Sequence, residues 1–299
     1  MKKKIIYALG FFDGVHLGHQ ALLRACQELA QENGCITGAM TFDRHPNTIV
    51  NDSTMPLLYD GAHRSELLSH YGAQKIVFLL FNEQLMQKNW RAFLQMLVEQ
   101  FDAAGFVCGD DFRFGHKGEG NAALLQTFCD ENGFPCAVVP EQTVNGQRIS
   151  STAIRLALAK GDLETVNALL GRRHTLSGLV SYGRGIGRKI GFPTANFMVK
   201  SDVLLPRQGV YATHVIADGV RYPAVTNIGS RPTVGGHSVR VESWLLDFDD
   251  NLYDMVLTVE LYAYLRPEQK FDSLEELKAQ INLDAAKAKA IFQNEGGAI

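Results

Sequence analysis

The chain has 299 residues, 46% hydrophobic and 20% charged, an ordinary globular composition long enough for two domains. Lys plus Arg total 29 and Asp plus Glu total 32, giving a net charge of −3 and no basic excess of the kind that nucleic acid or an anionic membrane surface would select. Cys26, Cys35, Cys108, Cys129 and Cys136 are odd in number and all lie in the first half without a Cys-x-x-Cys pair, which suggests neither a disulfide framework nor a zinc ribbon and fits reduced thiols.

Lys2-Lys3-Lys4 ahead of Ile5–Phe12 imitates a signal peptide, but Asp13 interrupts the apolar run and no small-x-small site follows. No run approaches the length of a membrane span, so the expected location is cytoplasmic. Ile5–Leu9 is short, apolar and free of proline, which predicts a buried strand. Gly10 and Gly14 supply a turn around Phe11 and Asp13, and Ala21–Asn33 has helical spacing. A helix beginning near Val15 places His16 and His19 on one face of its first turn, beside unpaired N–H groups and the positive dipole end. That is a natural phosphate site. Two other readings compete: a zinc pair, which needs a third ligand, and ordinary polar residues at a helix start.

Strands are then predicted at Ile36–Phe42, Lys75–Phe81, Ala104–Cys108 and Cys136–Val139, alternating with helices at Ser65–Tyr71, Trp90–Phe101 and Ala122–Asn132. The alternation implies an open, mostly parallel sheet whose ligands bind at the carboxyl ends of its strands. Two loops fall at such ends. Thr41-Phe42-Asp43-Arg44-His45-Pro46 stops in a proline, and Gly109-Asp110-Asp111-Phe112-Arg113-Phe114-Gly115 offers groups suited to base and ribose contacts, or an ordinary loop. Ile149-Ser150-Ser151-Thr152-Ala153-Ile154-Arg155 places hydroxyls and an arginine at a helix start, suited to phosphate or to plain capping.

From about residue 176 the pattern turns to strands, with Ser238–Asp247 and Met255–Leu265 extended and one amphipathic helix, Ser273–Ile281, near the end. Met255, Leu257, Val259, Leu261, Ala263 and Leu265 share one face at a period of two. A small antiparallel barrel or sandwich is expected, with the domain boundary near 171–176. Gly183, Gly185 and Gly187 offer a nest for phosphate oxygens, or a barrel turn. Neither a dinucleotide fingerprint nor a P-loop is present, since Pro193 forbids the helix the former requires. Thr194 and Asn196 are neutral oxygen donors of the kind that help hold Mg²⁺ and phosphates. Glu242 falls on the strand face opposite Val239 and Val241. It is a surface residue unless it meets the 194–196 loop, where it would serve as a general base.

Together these motifs, with Asn227-Ile228-Gly229-Ser230-Arg231-Pro232-Thr233, resemble the bacterial bifunctional riboflavin kinase/FMN adenylyltransferase (FAD synthetase) family in order and over nearly the whole chain. The resemblance implies a Rossmann-like nucleotidyltransferase domain over 1–171 that moves AMP from ATP onto FMN. It also implies a six-stranded antiparallel Greek-key β-barrel with a terminal helix over 172–299 that phosphorylates riboflavin. By carry-over His16 and His19 bind ATP phosphates, and Ser151 and Arg155 bind phosphate from the helix start. Thr194 and Asn196 hold Mg²⁺, and Glu242 accepts the ribityl hydroxyl proton. ATP is the co-substrate; riboflavin, FMN and FAD are substrates and products. No nucleic-acid or membrane partner is expected, and the chain is expected to be a monomer or weakly self-associating. Five positions depart from the family pattern: Phe11 for a small polar residue, Arg44 for proline, His63-Arg64 for Glu-Lys, and Asp254 for glycine. Three rival readings are a kinase alone, a nucleotidyltransferase for another phosphate, and a flavin-binding regulator without turnover.

Overall fold

A computed structural model describes residues 3–45, 55–182, 187, 190–200, 202–233 and 236–295. Packing divides the chain into two units, Met1–Ala153 and Ile154–Ile299.

The first unit is built on five parallel strands: β1 (Ile5–Leu9), β2 (Ile36–Phe42), β3 (Lys75–Leu79), β4 (Ala103–Gly109) and β5 (Cys136–Val139). Their order is β3-β2-β1-β4-β5, so the direction of winding reverses between β1 and β4. All five residues of β1 are buried, as a central strand covered on both faces must be. Helix α1 (Leu17–Glu32) covers one face with Leu22, Leu23, Cys26 and Ala30, and α2 (Gly61–His70) adds Leu68 there. A short helix, α3 (Glu83–Met86), precedes α4 (Trp90–Phe101); α4 and α5 (Ala122–Asn132) pack on the other face. The strand and helix bounds match the sequence expectations closely. Two starts differ: α2 begins at Gly61 rather than Ser65, capped by Asp60, and α1 begins at Leu17 rather than near Val15, because Val15 has φ 41 and cannot be helical. A two-residue hairpin of β6 (Thr143–Val144) and β7 (Gln147–Arg148) closes the unit.

Helix α6 (Ser151–Lys160) crosses the boundary and α7 (Leu163–Leu170) lies wholly in the second unit, which begins earlier than the expected 171–176. The reason is where their polar groups go. Leu158 O accepts from Arg207 N at 3.0 Å, and the Asn167 amide donates to Leu261 O at 3.2 Å while accepting from His174 N at 2.8 Å.

Six antiparallel strands follow: β8 (His174–Leu179), β9 (Ala195–Met198), β10 (Gly209–Ala217), β11 (Val220–Thr233), β12 (Gly236–Leu245) and β13 (Val256–Arg266), in the order β8-β13-β10-β11-β12-β9. The run β13-β10-β11-β12 is a Greek key. The outer strands meet through a Val180–Phe197 bridge and Ser181 N donating to Asn196 O at 2.8 Å, so the sheet closes on itself. Inside, Thr213, Thr226 and Ser243 form a buried hydroxyl chain with oxygen separations of 2.7 and 2.8 Å.

Two expectations change here. The alternation along β13 holds through Leu257, Val259 and Leu261, but a register shift opposite Ala212 and Thr213 inserts Tyr262. Ala263 and Leu265 therefore pack outward against the last helix. That helix, α8, runs Leu274–Glu295 instead of ending at Ile281, since no glycine or proline interrupts Asn282–Asn294. Asp254, a departure from the family pattern, has φ 64, a conformation in which glycine costs least and aspartate is tolerated.

His214, on β10, packs between the rings of Tyr262 and Phe292, with centroids at 4.7 and 4.2 Å. Burial, aided by Arg221 and Arg173, pulls its pKa down to about 4. The unfolded chain therefore binds the proton first, and stability falls as pH drops from about 6.5 towards 4. Replacing His214 with Phe is expected to flatten that part of the stability–pH curve, measured by urea unfolding of the barrel between pH 4 and 7.

Candidate functional site

In the sheet unit, the loop after β1 reaches the carboxyl edge of the sheet at the switch point between β1 and β4, where open α/β sheets bind ligands. The loop is strained. Phe12 has φ 55, Gly14 φ 87 and Val15 φ 41, and each non-glycine residue there costs about 1–2 kcal/mol. Several bonds hold it in place. Phe11 O accepts from Thr41 Oγ1 at 2.7 Å and Arg64 Nη1 at 2.9 Å. Asp13 Oδ1 accepts from Leu58 N, and Asp13 O from Ser151 Oγ, both at 2.8 Å.

The strained turn delivers His16 as the N-cap of α1, its Nδ1 accepting from His19 N at 3.3 Å. A neutral His16 ring so engaged carries its proton on Nε2, a donor suited to a phosphate oxygen. The His16 and His19 rings stack 3.7 Å apart, 12° from parallel, at the positive end of the helix. Among the described residues no group of three His, Cys, Asp or Glu side chains is placed to hold a metal.

The structure sorts the other expected phosphate residues. Gly10 follows β1, and Gly109 ends β4, the neighbouring strand. Ser151 touches the His16 loop through Asp13, although the two lie 138 residues apart. Arg155 lies four residues further along the same helix, beyond the unit boundary. Asp13 is 1% exposed with its carboxylate engaged by Leu58, so it braces the loop instead of facing a ligand. Asp111 stands exposed in an ion pair with Arg148 at 2.6 Å. Phe11 has its ring over the Arg64 guanidinium, 4.8 Å from its centroid.

In the barrel unit, register brings three expected or overlooked polar residues into one row. Glu242 on β12 stands opposite Asn196 on β9 and opposite Asn227 on β11. Val241 is fully buried inside, so Glu242 faces outward, as the alternation predicts. It lines a cleft of about 340 Å³ with Thr194, Asn227, Phe192, Trp244 and Glu268. Phe192 meets Trp244 edge-on at 4.8 Å, and Trp244, two residues along β12 from Glu242, sets this aromatic wall beside the polar row.

Asn196 Nδ2 donates to Thr194 O at 3.1 Å and to Thr194 Oγ1 at 3.0 Å, tying the loop to the strand. Arg240 Nη1 lies 3.7 Å from Glu242 Oε1. Thr194 also lines a second cleft, with Phe248, Asp249, Asp250, Asn251 and Tyr253. One threonine thus borders two clefts. Gly187 lines the first, its carbonyl accepting from Phe192 N at 2.8 Å; Gly183 and Gly185 lie outside the described residues.

Sequence reading missed Asn227, which donates to Glu268 Oε1 at 2.9 Å, and the Arg266–Asp284 pair in the cleft wall. Asn227 opens a motif already noted, so strand pairing was the lacking information. Arg266 and Asp284 sit on different elements with no shared motif.

Two family models match the chain: FAD synthetase over residues 1–153 and riboflavin kinase over residues 170–292. A bifunctional riboflavin kinase/FMN adenylyltransferase from Listeria monocytogenes is 34% identical over 290 residues, covering 96% of this chain and 92% of that protein. One from Pseudomonas fluorescens is 37% identical over 288 residues, with the same coverage of 96% and 92%. A solved structure described as a macrolide-efflux protein from Streptococcus pneumoniae superposes with TM-score 0.87 at 28% identity, covering 97% of this chain and 95% of that one. Among the described residues here, no helix is long and apolar enough to cross a membrane.

Asp284 is 1% exposed and grips Arg266, with Nη2–Oδ2 at 2.8 Å and Nε–Oδ2 at 2.9 Å. Asp284→Ala strands a largely buried guanidinium, and a loss of about 3 kcal/mol is expected in chemical unfolding of the barrel.

Proposed function

The chain belongs to the bifunctional riboflavin kinase/FMN adenylyltransferase family, and we propose that it makes FAD in two steps with one site in each unit. In the barrel, the 5′-hydroxyl of riboflavin attacks the γ-phosphorus of ATP, giving FMN and ADP. In the sheet unit, the FMN phosphate attacks the α-phosphorus of a second ATP, giving FAD and pyrophosphate.

The observation that carries the barrel assignment is the row Asn196–Glu242–Asn227 beside Thr194, the residue bordering both clefts. A phosphoryl donor in one cleft and an acceptor alcohol in the other would meet at Thr194. The first cleft has the aromatic wall a flat ring system would use, so riboflavin is assigned to it and ATP to the second. Glu242 takes the hydroxyl proton as the oxygen–phosphorus bond forms. Asn196 turns its NH₂ towards Thr194 here, and a flip of the amide brings Oδ1 beside Thr194 Oγ1 in its place. Thr194 Oγ1 and Asn196 Oδ1 are hard neutral donors that fit Mg²⁺ when substrate phosphates complete its shell. When bound, the ion would neutralise phosphate charge.

In the sheet unit His16 and His19 bind the ATP phosphates and steady the charge that grows at the α-phosphate. Positioning and electrostatics suffice there, without a covalent intermediate. Ser151 joins the helix start to the loop through Asp13.

The test is incubation with riboflavin and Mg-ATP, with flavins separated by chromatography over time. FMN appearing first and FAD later is the expected course. FMN alone would leave a kinase only, and flavin binding without ATP consumption would favour a regulator. Glu242→Gln is expected to slow FMN formation by about 10²–10⁴-fold while FMN supplied directly still becomes FAD. His16→Ala is expected to do the reverse, slowing the second step about 10²-fold.

A further inference from the structure

We infer that Arg64 is a positioning residue for adenylyl transfer, its buried guanidinium clamping the carboxyl ends of β1 and β2 so that the loop between them and His16 keeps its strained shape. The inference rests on the function proposed for the sheet unit.

Arg64 is 0% exposed, the largest side chain in the described structure to be fully buried. It lies on α2, far in sequence from both strands it joins. Nη1 donates to Phe11 O and Nη2 to Phe42 O, each at 2.9 Å. Two aromatic rings pack against it, with centroids 4.8 Å from the guanidinium carbon for Phe11 and 5.0 Å for Phe78. The Asp13, Asp43 and Asp60 carboxylates compensate its charge. Each carboxylate also holds a backbone N–H at 2.8 Å: Leu58 for Asp13, Phe81 for Asp43 and His63 for Asp60. One cation therefore sits at the centre of the bonds that shape the loops after β1, β2 and β3.

A group this buried does not touch substrate. Its effect passes through Phe11 O, one residue before the left-handed run at Phe12, Gly14 and Val15. Left to itself that run would relax, because left-handed φ at Phe12 and Val15 is unfavourable. A planar fork reaches two carbonyls on neighbouring strands at fixed spacing, and the compact ammonium of lysine does not. The same geometry accounts for Phe11, whose ring covers the guanidinium where a small polar side chain would leave it bare.

The experiment compares wild type, Arg64→Lys and Arg64→Met in full-length protein. FAD formation from FMN and ATP is measured as kcat and KM separately, and riboflavin phosphorylation by the same samples is the internal control. Misplacement of reacting groups by about 1 Å costs about 10²-fold. Arg64→Met is therefore expected to lower kcat for FAD formation about 100-fold, with KM values within threefold and kinase activity within twofold. Arg64→Lys, which keeps the charge and one donor site, should recover to about tenfold below wild type. FAD formation by Arg64→Met within threefold of wild type would overturn the inference, as would a loss expressed wholly in KM. If Arg64→Met fails to fold its sheet unit, Arg64→Lys decides. A lowered kcat at unchanged melting temperature supports the clamp, and wild-type kcat refutes it. Wild-type protein that makes no FAD would refute the function of the unit instead, before any variant is compared.

Discussion

Ladder hydrogen bonds between strands decide which side chains meet in this protein, and both sites depend on them. In the barrel, antiparallel pairing sets Glu242 against Asn196 on one side and Asn227 on the other. A slip of one residue would send Glu242 into the barrel interior and bring Val241 or Ser243 into the cleft. The buried chain of Thr213, Thr226 and Ser243 works against such a slip, because each hydroxyl is paired only in the observed register. In the sheet, parallel pairing sets Ala8 beside Val107 and Leu9 beside Met40, which brings the loops after β1, β2 and β4 to one edge.

The two sites are prepared differently. The barrel cleft is formed by strands and by α8, with Arg266 and Asp284 joining β13 to that helix. Its polar row is part of the sheet and needs little further support. The sheet-unit site lies on a loop with unfavourable backbone angles, and such a loop holds its shape only where neighbours over-determine it. Thr41, Leu58, Arg64 and Ser151 supply those restraints from four separate parts of the chain.

The departures from the family pattern take on physical meaning in this setting. Phe11 and Arg64 occur together and pack ring on guanidinium, so the two differences are one local arrangement. Asp254 occupies a left-handed turn that glycine fills most readily. Arg44 pairs with Asp43 at 3.1 Å on an exposed loop, a contact worth little by itself.

Much of this was legible in the sequence, because local rules suffice for it. Apolar runs and helical periods marked β1, β2, β5, α4 and α5 to the residue. Alternation put Glu242 on the outward face, and the glycines of residues 10–14 marked a tight turn. Other features required the folded chain. That His16 caps α1 instead of lying within it follows from a φ of 41 at Val15, which no propensity scale anticipates. The bulge at Tyr262 depends on pairing with β10, and the allegiance of α6 and α7 to the barrel depends on Leu158 and Asn167 finding partners there. The burial of Arg64 is the clearest case. An arginine in a polar helical stretch reads as a surface charge, and only the convergence of two strand ends, two aromatic rings and three carboxylates makes burial favourable. The sequence by itself determined the elements, their order and the residue types available for phosphate chemistry. Tertiary structure alone decided which of those residues meet, because contact across strands and loops is set by long-range hydrogen-bond register and packing that no local window contains.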